Sequence, residues 1–84
     1  MHFEFIWENI IRHAGEEFYT KTKLPFRYRV VGDTVIPDRT GFPLDKSNFR
    51  KAAEVKKLTG PGKLPDSVMG PSYVYAIMTD KRIR

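Results

Sequence analysis

The apolar period of this chain changes once near its start, at Gly15, and the change dictates which elements the first third can build. Before it, Phe3, Ile6, Trp7, Ile10, Ile11 and Ala14 recur at steps of three and four. That spacing lines one face of a helix. Glu4, Glu8, Asn9, Arg12 and His13 fall on the other side, and Gly15 follows the last apolar position, where a helix commonly ends in a left-handed residue. After Gly15 the step becomes two. Phe18, Thr20 and Thr22 alternate with Glu17, Tyr19 and Lys21, and Phe26, Tyr28 and Val30 alternate with Arg27 and Arg29, the signature of strands with one face buried.

Pro25 has no N–H to donate to a central ladder, so the break between the first two strands is expected around Thr22–Pro25. A second break falls at Gly32–Asp33, a two-residue hairpin loop in which Gly takes the positive φ of a primed turn. Pairing across that loop sets Val31 opposite Thr34, Val30 opposite Val35 and Arg29 opposite Ile36. Val30 and Val35 then share the core face with Phe26 and Tyr28 nearby. Arg27, Arg29, Val31, Thr34 and Ile36 take the other face, with Lys21 or Tyr19 joining from the first strand.

Pro37 stops the third strand, and the segment to Pro43 reads as a loop. A second helix is expected from Asp45 or Ser47, either of which can cap it, to about Lys57, with Lys46, Arg50, Lys51 and Lys57 outward. "TGPGKLPD", Thr59 to Asp66, is a stiff loop, with room for a helical turn at Asp66–Met69. Gly70–Pro71 opens a last helix, because proline in the first turn loses no hydrogen bond. Tyr73, Val74, Ile77 and Met78 form its buried stripe, and Tyr75 lies on a different face beside the basic tail of Lys81, Arg82 and Arg84. The order indicates an α+β fold: an N-terminal helix, a three-stranded antiparallel meander and two C-terminal helices packed on one face of the sheet.

Eighty-four residues suit a single small domain, 1–84, with a core just large enough to fold. At 40% apolar and 30% charged residues the composition is that of a folded protein. The absence of cysteine excludes a disulfide framework and thiolate chemistry, and fits the cytoplasm. No apolar run approaches the length of a membrane helix, and Glu4 and Glu8 stand where a signal peptide would be positive. No membrane association is expected. The net charge of +5 and pI near 9.7 favour polyanionic partners. The basic character is uneven: four acids and one base precede Tyr19, and fourteen bases and six acids follow from it.

Few residues carry recognisable chemistry. Pro37–Asp38 followed by Glu54-Val55-Lys56 echoes the carboxylate and lysine pattern of metal-dependent nucleases, but Glu54 and Lys56 fall in an expected helix where such enzymes use a strand. His13, Glu16 and Glu17 lie close in sequence, yet a metal needs three or four converging ligands and the other histidine is His2. Gly60-Pro61-Gly62-Lys63 lacks the spacing of a phosphate loop. Ser47, Ser67 and Ser72 have no acid–base partner and read as caps. No catalytic residue, metal or cofactor is expected.

Two functional readings remain. In the first the chain is a small basic nucleic-acid-binding module, for DNA or RNA, with Arg27 and Arg29 on the sheet and Arg50, Lys51 and Lys57 on the second helix contacting phosphates. Lys21, Lys23, Arg82 and Arg84 extend that surface, and Tyr75, with Tyr19 and Tyr28, is a candidate for stacking on a base. In the second it is a protein-interaction module, an accessory or inhibitor subunit, using a patch of Val31, Ile36 and Tyr75 or the first helix.

Overall fold

The computed structural model describes residues His2 to Arg84. The architecture is α+β: an N-terminal helix, two small antiparallel sheets and two C-terminal helices around one apolar core. Helix α1 spans Phe3–Arg12 and buries Ile6, Trp7 and Ile10. Its buried stripe is narrower than the sequence pattern, since Ile11 at the margin is 48% exposed. The helix closes on His13, and Gly15, at φ 89°, turns the chain so that its amide donates to Tyr28 O at 2.9 Å. That bond ties the helix end to the sheet.

The expected strands resolve into two sheets. Strand β1, Phe18–Tyr19, pairs with β2, Pro25–Phe26, and the ladder ends after two residues because Thr20 closes a tight turn. Its amide donates to Leu24 O at 3.0 Å, and its hydroxyl accepts from the Leu24 amide. Lys21 is therefore a turn residue, outside the strand in which the alternation places it.

Strands β3, Tyr28–Val31, and β4, Thr34–Pro37, pair in the expected register: Val31 with Thr34, Val30 with Val35 and Arg29 with Ile36. Gly32 supplies the positive φ, 58°, at the hairpin. The third strand of this meander is β5, Leu44–Asp45, just past the expected loop; it pairs with β4 through Val35–Leu44 and Thr34–Asp45. A strand of two residues has no period to detect.

Asp45 then caps α2, Lys46–Ala53, its carboxylate accepting from the Ser47 amide. The Ser47 hydroxyl also donates to Asp45 at 2.8 Å, and these hydrogen bonds are the main reason the Asp45 carboxyl lies below its usual pKa. The helix stops earlier than the sequence pattern implies, so Lys57 lies in an irregular stretch. The Val55 amide reaches only Ala52 O, at 3.1 Å, which tightens the last turn and ends the helix.

A 3-10 turn at Pro61–Lys63 and a turn at Pro65–Val68 lead to α3, Pro71–Met78. Gly70 precedes α3 at φ 56°, and a Cβ there would stand 2.8 Å from Leu44 Cδ2. Only glycine satisfies both the left-handed backbone and the approach of β5.

The core joins Trp7 and Ile10 of α1, Phe18, Phe26, Tyr28, Val35 and Leu44 of the strands, Phe49 and Ala52 of α2, and Val74, Ile77 and Met78 of α3. Trp7 and Phe49 rings meet at 6.0 Å, packing α1 on α2. Ile83 is also fully buried, and its carbonyl accepts from Asn9 Nδ2 at 3.0 Å. The segment after α3 is thus docked against α1.

Candidate nucleic-acid interface

The basic residues divide by what surrounds them. Lys46 and Arg50 of α2 lie over rings of α1, with Lys46 Nζ 5.2 Å from the Trp7 centroid and the Arg50 guanidinium 4.7 Å from that of Phe3. Both approach the Glu4 carboxylate, at 3.7 and 3.9 Å. Their stems cover the apolar surface of α1 while their charges stay in water. Lys51 Nζ donates to Ser67 Oγ at 3.1 Å.

Arg82 is the most heavily engaged cation. It stacks 3.8 Å from the Phe18 centroid, donates to both oxygens of Asp80 and to Glu16, and reaches Glu17 O at 3.0 Å. The hydrogen bond from Arg82 depresses the Asp80 carboxyl, and the pair raises the pKa of Arg82 in turn. Glu16 is held below its usual range first by its hydrogen bond to His13, at 2.9 Å, and then by Arg82. His13, Glu16, Asp80 and Arg82 thus form an electrostatic clamp joining the end of α1 to the segment after α3. Among the described residues no three His, Asp or Glu side chains converge as metal ligands.

Lys21 and Tyr75 also bind within the chain. Lys21 Nζ lies 5.9 Å from the Tyr75 ring and donates to Thr59 O at 3.0 Å, and the Tyr75 hydroxyl donates to the same carbonyl. Tyr75 therefore packs beside the Thr59 loop and is half-buried. Tyr28 is buried, its hydroxyl donating to Ile10 O at 2.6 Å, and burial pushes its pKa up. Tyr19 is exposed and donates to Glu17.

The outer face of the β3–β4 hairpin is different. Arg29, Val31, Thr34 and Ile36 alternate with the core-facing Tyr28, Val30 and Val35. A groove of about 300 Å³ runs along this face, lined by Arg27, Tyr28, Arg29, Ile36, Pro37, Asp38 and Gly41. Arg27 Nη1 donates to Gly15 O at 2.6 Å, which holds the guanidinium in place with its other N–H groups uncommitted. No side-chain hydrogen bond or ion pair engages Arg29 among the described residues. Among the described residues neither arginine lies over an aromatic ring.

Asp38 belongs to this site. Its Oδ1 accepts the Arg27 backbone N–H at 3.1 Å while its own amide donates to Arg27 O at 2.8 Å, extending the β3–β4 ladder by one step. The sequence marks Asp38 only as a strand-ending turn or half of a nuclease-like pattern. An acid directly after the proline that ends a strand is the one signal that points to it. Glu54, the other half of that pattern, caps the distant end of α2.

Of the remaining candidates, Lys23 sits at the tip of the β1–β2 turn with φ 72°, and Lys57 and Arg84 are exposed. The patch of Val31, Ile36 and Tyr75 is divided, because Val31 and Ile36 face outward on the sheet whereas Tyr75 packs at the Thr59 loop. A separate apolar hollow of about 300 Å³ lies beside β5, lined by Thr40, Phe42, Leu44, Met69, Gly70 and Tyr73, with Phe42 and Met69 each about half exposed.

No helix among the described residues is long and apolar enough to cross a membrane. No protein-family model, curated protein or solved structure matches the chain.

Proposed function

We propose that the protein is a small cytoplasmic nucleic-acid-binding module that contacts phosphates from the outer face of its β3–β4 hairpin. What supports this reading is the state of Arg27 and Arg29: two arginines lining one groove, with no carboxylate among the described residues in an ion pair with either. An arginine fork matches phosphate geometry, and a partly held one loses less freedom on binding. Lys23, Lys57 and Arg84 add exposed positive charge to the approach field, and Arg50 and Lys51 contribute to it from α2. Lys21, Tyr75 and Arg82 act mainly through the fold that presents this face.

The test is a titration of labelled single-stranded and duplex oligonucleotides over a range of salt. Phosphate binding gives affinity that falls steeply as salt rises, with a slope proportional to the number of phosphates neutralised. Salt-insensitive binding, or none at low salt, rejects the reading. A protein-interaction role draws instead on the hollow under Phe42 and Met69, whose exposed apolar side chains favour it. Its signature is a protein complex that survives high salt and disappears in Phe42→Ser.

A further inference from the structure

We infer that the groove between Arg27 and Arg29 seats one unpaired base of a single strand, and that Asp38 selects a base presenting an amino group. This deepens the nucleic-acid reading above and rests on it. The groove has an apolar side, supplied by the half-buried Ile36, with the buried Pro37 beneath it as its floor. A duplex keeps its base faces stacked and offers a shallow groove only its backbone, whereas an unstacked base has an apolar face to bury. Gly41 lines the same groove, with open space where its Cβ would be, which leaves room for a planar ring.

Arg27 and Arg29 stand two residues apart in extended chain, roughly 6.6 Å along the strand. That is comparable to one nucleotide step of an extended strand, so the two arginines issue from the sheet at a spacing suited to the phosphates on either side of a single base.

Asp38 makes the choice chemical. A carboxylate repels phosphate, so it is out of place in a surface for backbone alone. It is an acceptor for a base amino group, such as N4 of cytosine, and it opposes the O4 carbonyl of thymine. The Arg27 amide fixes the carboxylate through Oδ1, at 3.1 Å, which leaves Oδ2 to accept from a base. Cytosine and thymine are near in size, so the pair isolates this one interaction.

The experiment compares labelled oligodeoxycytidylate, oligodeoxythymidylate and a mixed-sequence duplex of equal length at low salt and mildly alkaline pH, where cytosine is neutral. The expected result is affinity for the cytidine strand about tenfold above the thymidine strand, and duplex weaker than the cytidine strand. In Asp38→Asn the side-chain carbonyl can still accept the Arg27 amide, so an unchanged melting temperature is expected. The preference should fall to within about twofold, with the salt slope unchanged. Equal binding of the two strands by the parent, a preference undiminished in Asp38→Asn, or tighter binding of duplex overturns the base seat while leaving phosphate binding intact. Absence of salt-dependent binding to all three probes overturns both readings.

Discussion

Around the helices and the docked chain end, Lys46, Arg50 and Arg82 each lie over an aromatic ring and each approach a carboxylate, whereas the guanidiniums of Arg27 and Arg29 on the outer sheet face have neither among the described residues. The two regions use the same residue types. What differs is the set of interactions each cation already makes inside the molecule. A cation over a ring contributes about 0.5–1 kcal/mol when exposed and more when desolvated, so moving it to a phosphate must first replace that interaction. A net charge of +5 therefore overstates the surface free to bind, and the position of uncommitted cations is more informative than their number.

The largest expected effect tests whether the helical side is structural. Trp7 is buried between Phe3, Phe49 and the Lys46 ammonium, and Trp7→Ala should cost about 3–5 kcal/mol, measured by urea unfolding. A destabilisation of that size removes a large share of the stability of a domain whose total is about 5–10 kcal/mol. An emission maximum of fully solvated indole in the parent protein would break the comparison at its start.

Arg82→Ala comes next, at about 2 kcal/mol, from the missing packing on Phe18 and from the Asp80 carboxylate left without its partner, while Glu16 keeps His13. Arg82→Lys should recover less than half of this, because an ammonium cannot serve two oxygens of Asp80, Glu16 and a carbonyl at once. Full rescue by lysine would mean that only charge matters there. Lower affinity for nucleic acid in the lysine variant, at parental stability, would move Arg82 to the uncommitted group.

The same clamp gives a smaller, pH-dependent effect. Asp80 is depressed from its ordinary 3.8 first by Arg82, and Glu16 from 4.5 first by His13. A carboxylate whose folded pKa is lowered contributes fully above its unfolded value and loses that contribution as pH falls through the folded one. Stability should therefore decline as pH drops below about 4.5, and Asp80→Asn should flatten part of that decline. A parallel curve for Asp80→Asn would show that the clamp does not couple to protons.

These regions are not equally legible in the sequence. The α1 stripe and the Gly32–Asp33 hairpin register are readable because each repeats a period over several residues, and one face of each is buried. β5 is not, since Leu44–Asp45 is defined by its partners Val35 and Thr34. The apolar period continues past Ala53 and so assigns Lys57 to α2, whereas the chain tightens there and leaves the helix. Within the candidate site, alternation places Arg29 and Ile36 on the outer face. It cannot place the Arg82 clamp or the pairing of Lys21 with Thr59, because those join residues 66 and 38 positions apart. Long side chains find such partners only after the core has brought distant segments together.

The smallest expected effect on stability is the most informative about function. Changing Arg27 and Arg29 together to Gln keeps polar side chains on exposed positions, and substitutions of this kind usually shift stability within about 0.5 kcal/mol per site. Arg27 tests the upper end of that range, because its Nη1 bond to Gly15 O helps hold the turn after α1, and Gln can donate one N–H in its place. The melting temperature should thus stay close to the parent. Affinity for nucleic acid should fall, and the slope of log K against log salt should decrease by roughly 0.9 for each duplex phosphate no longer neutralised, or about 0.7 for a single strand. Arg50→Gln, which removes a cation that is seated over Phe3 and adds only to the approach field, is the matched comparison and should lower that slope less than Arg29→Gln does. If Arg50→Gln lowers the slope as much as Arg29→Gln does, cations seated on rings are as available to phosphate as those on the open sheet. The distinction between the two sides would then fail even though the protein binds nucleic acid.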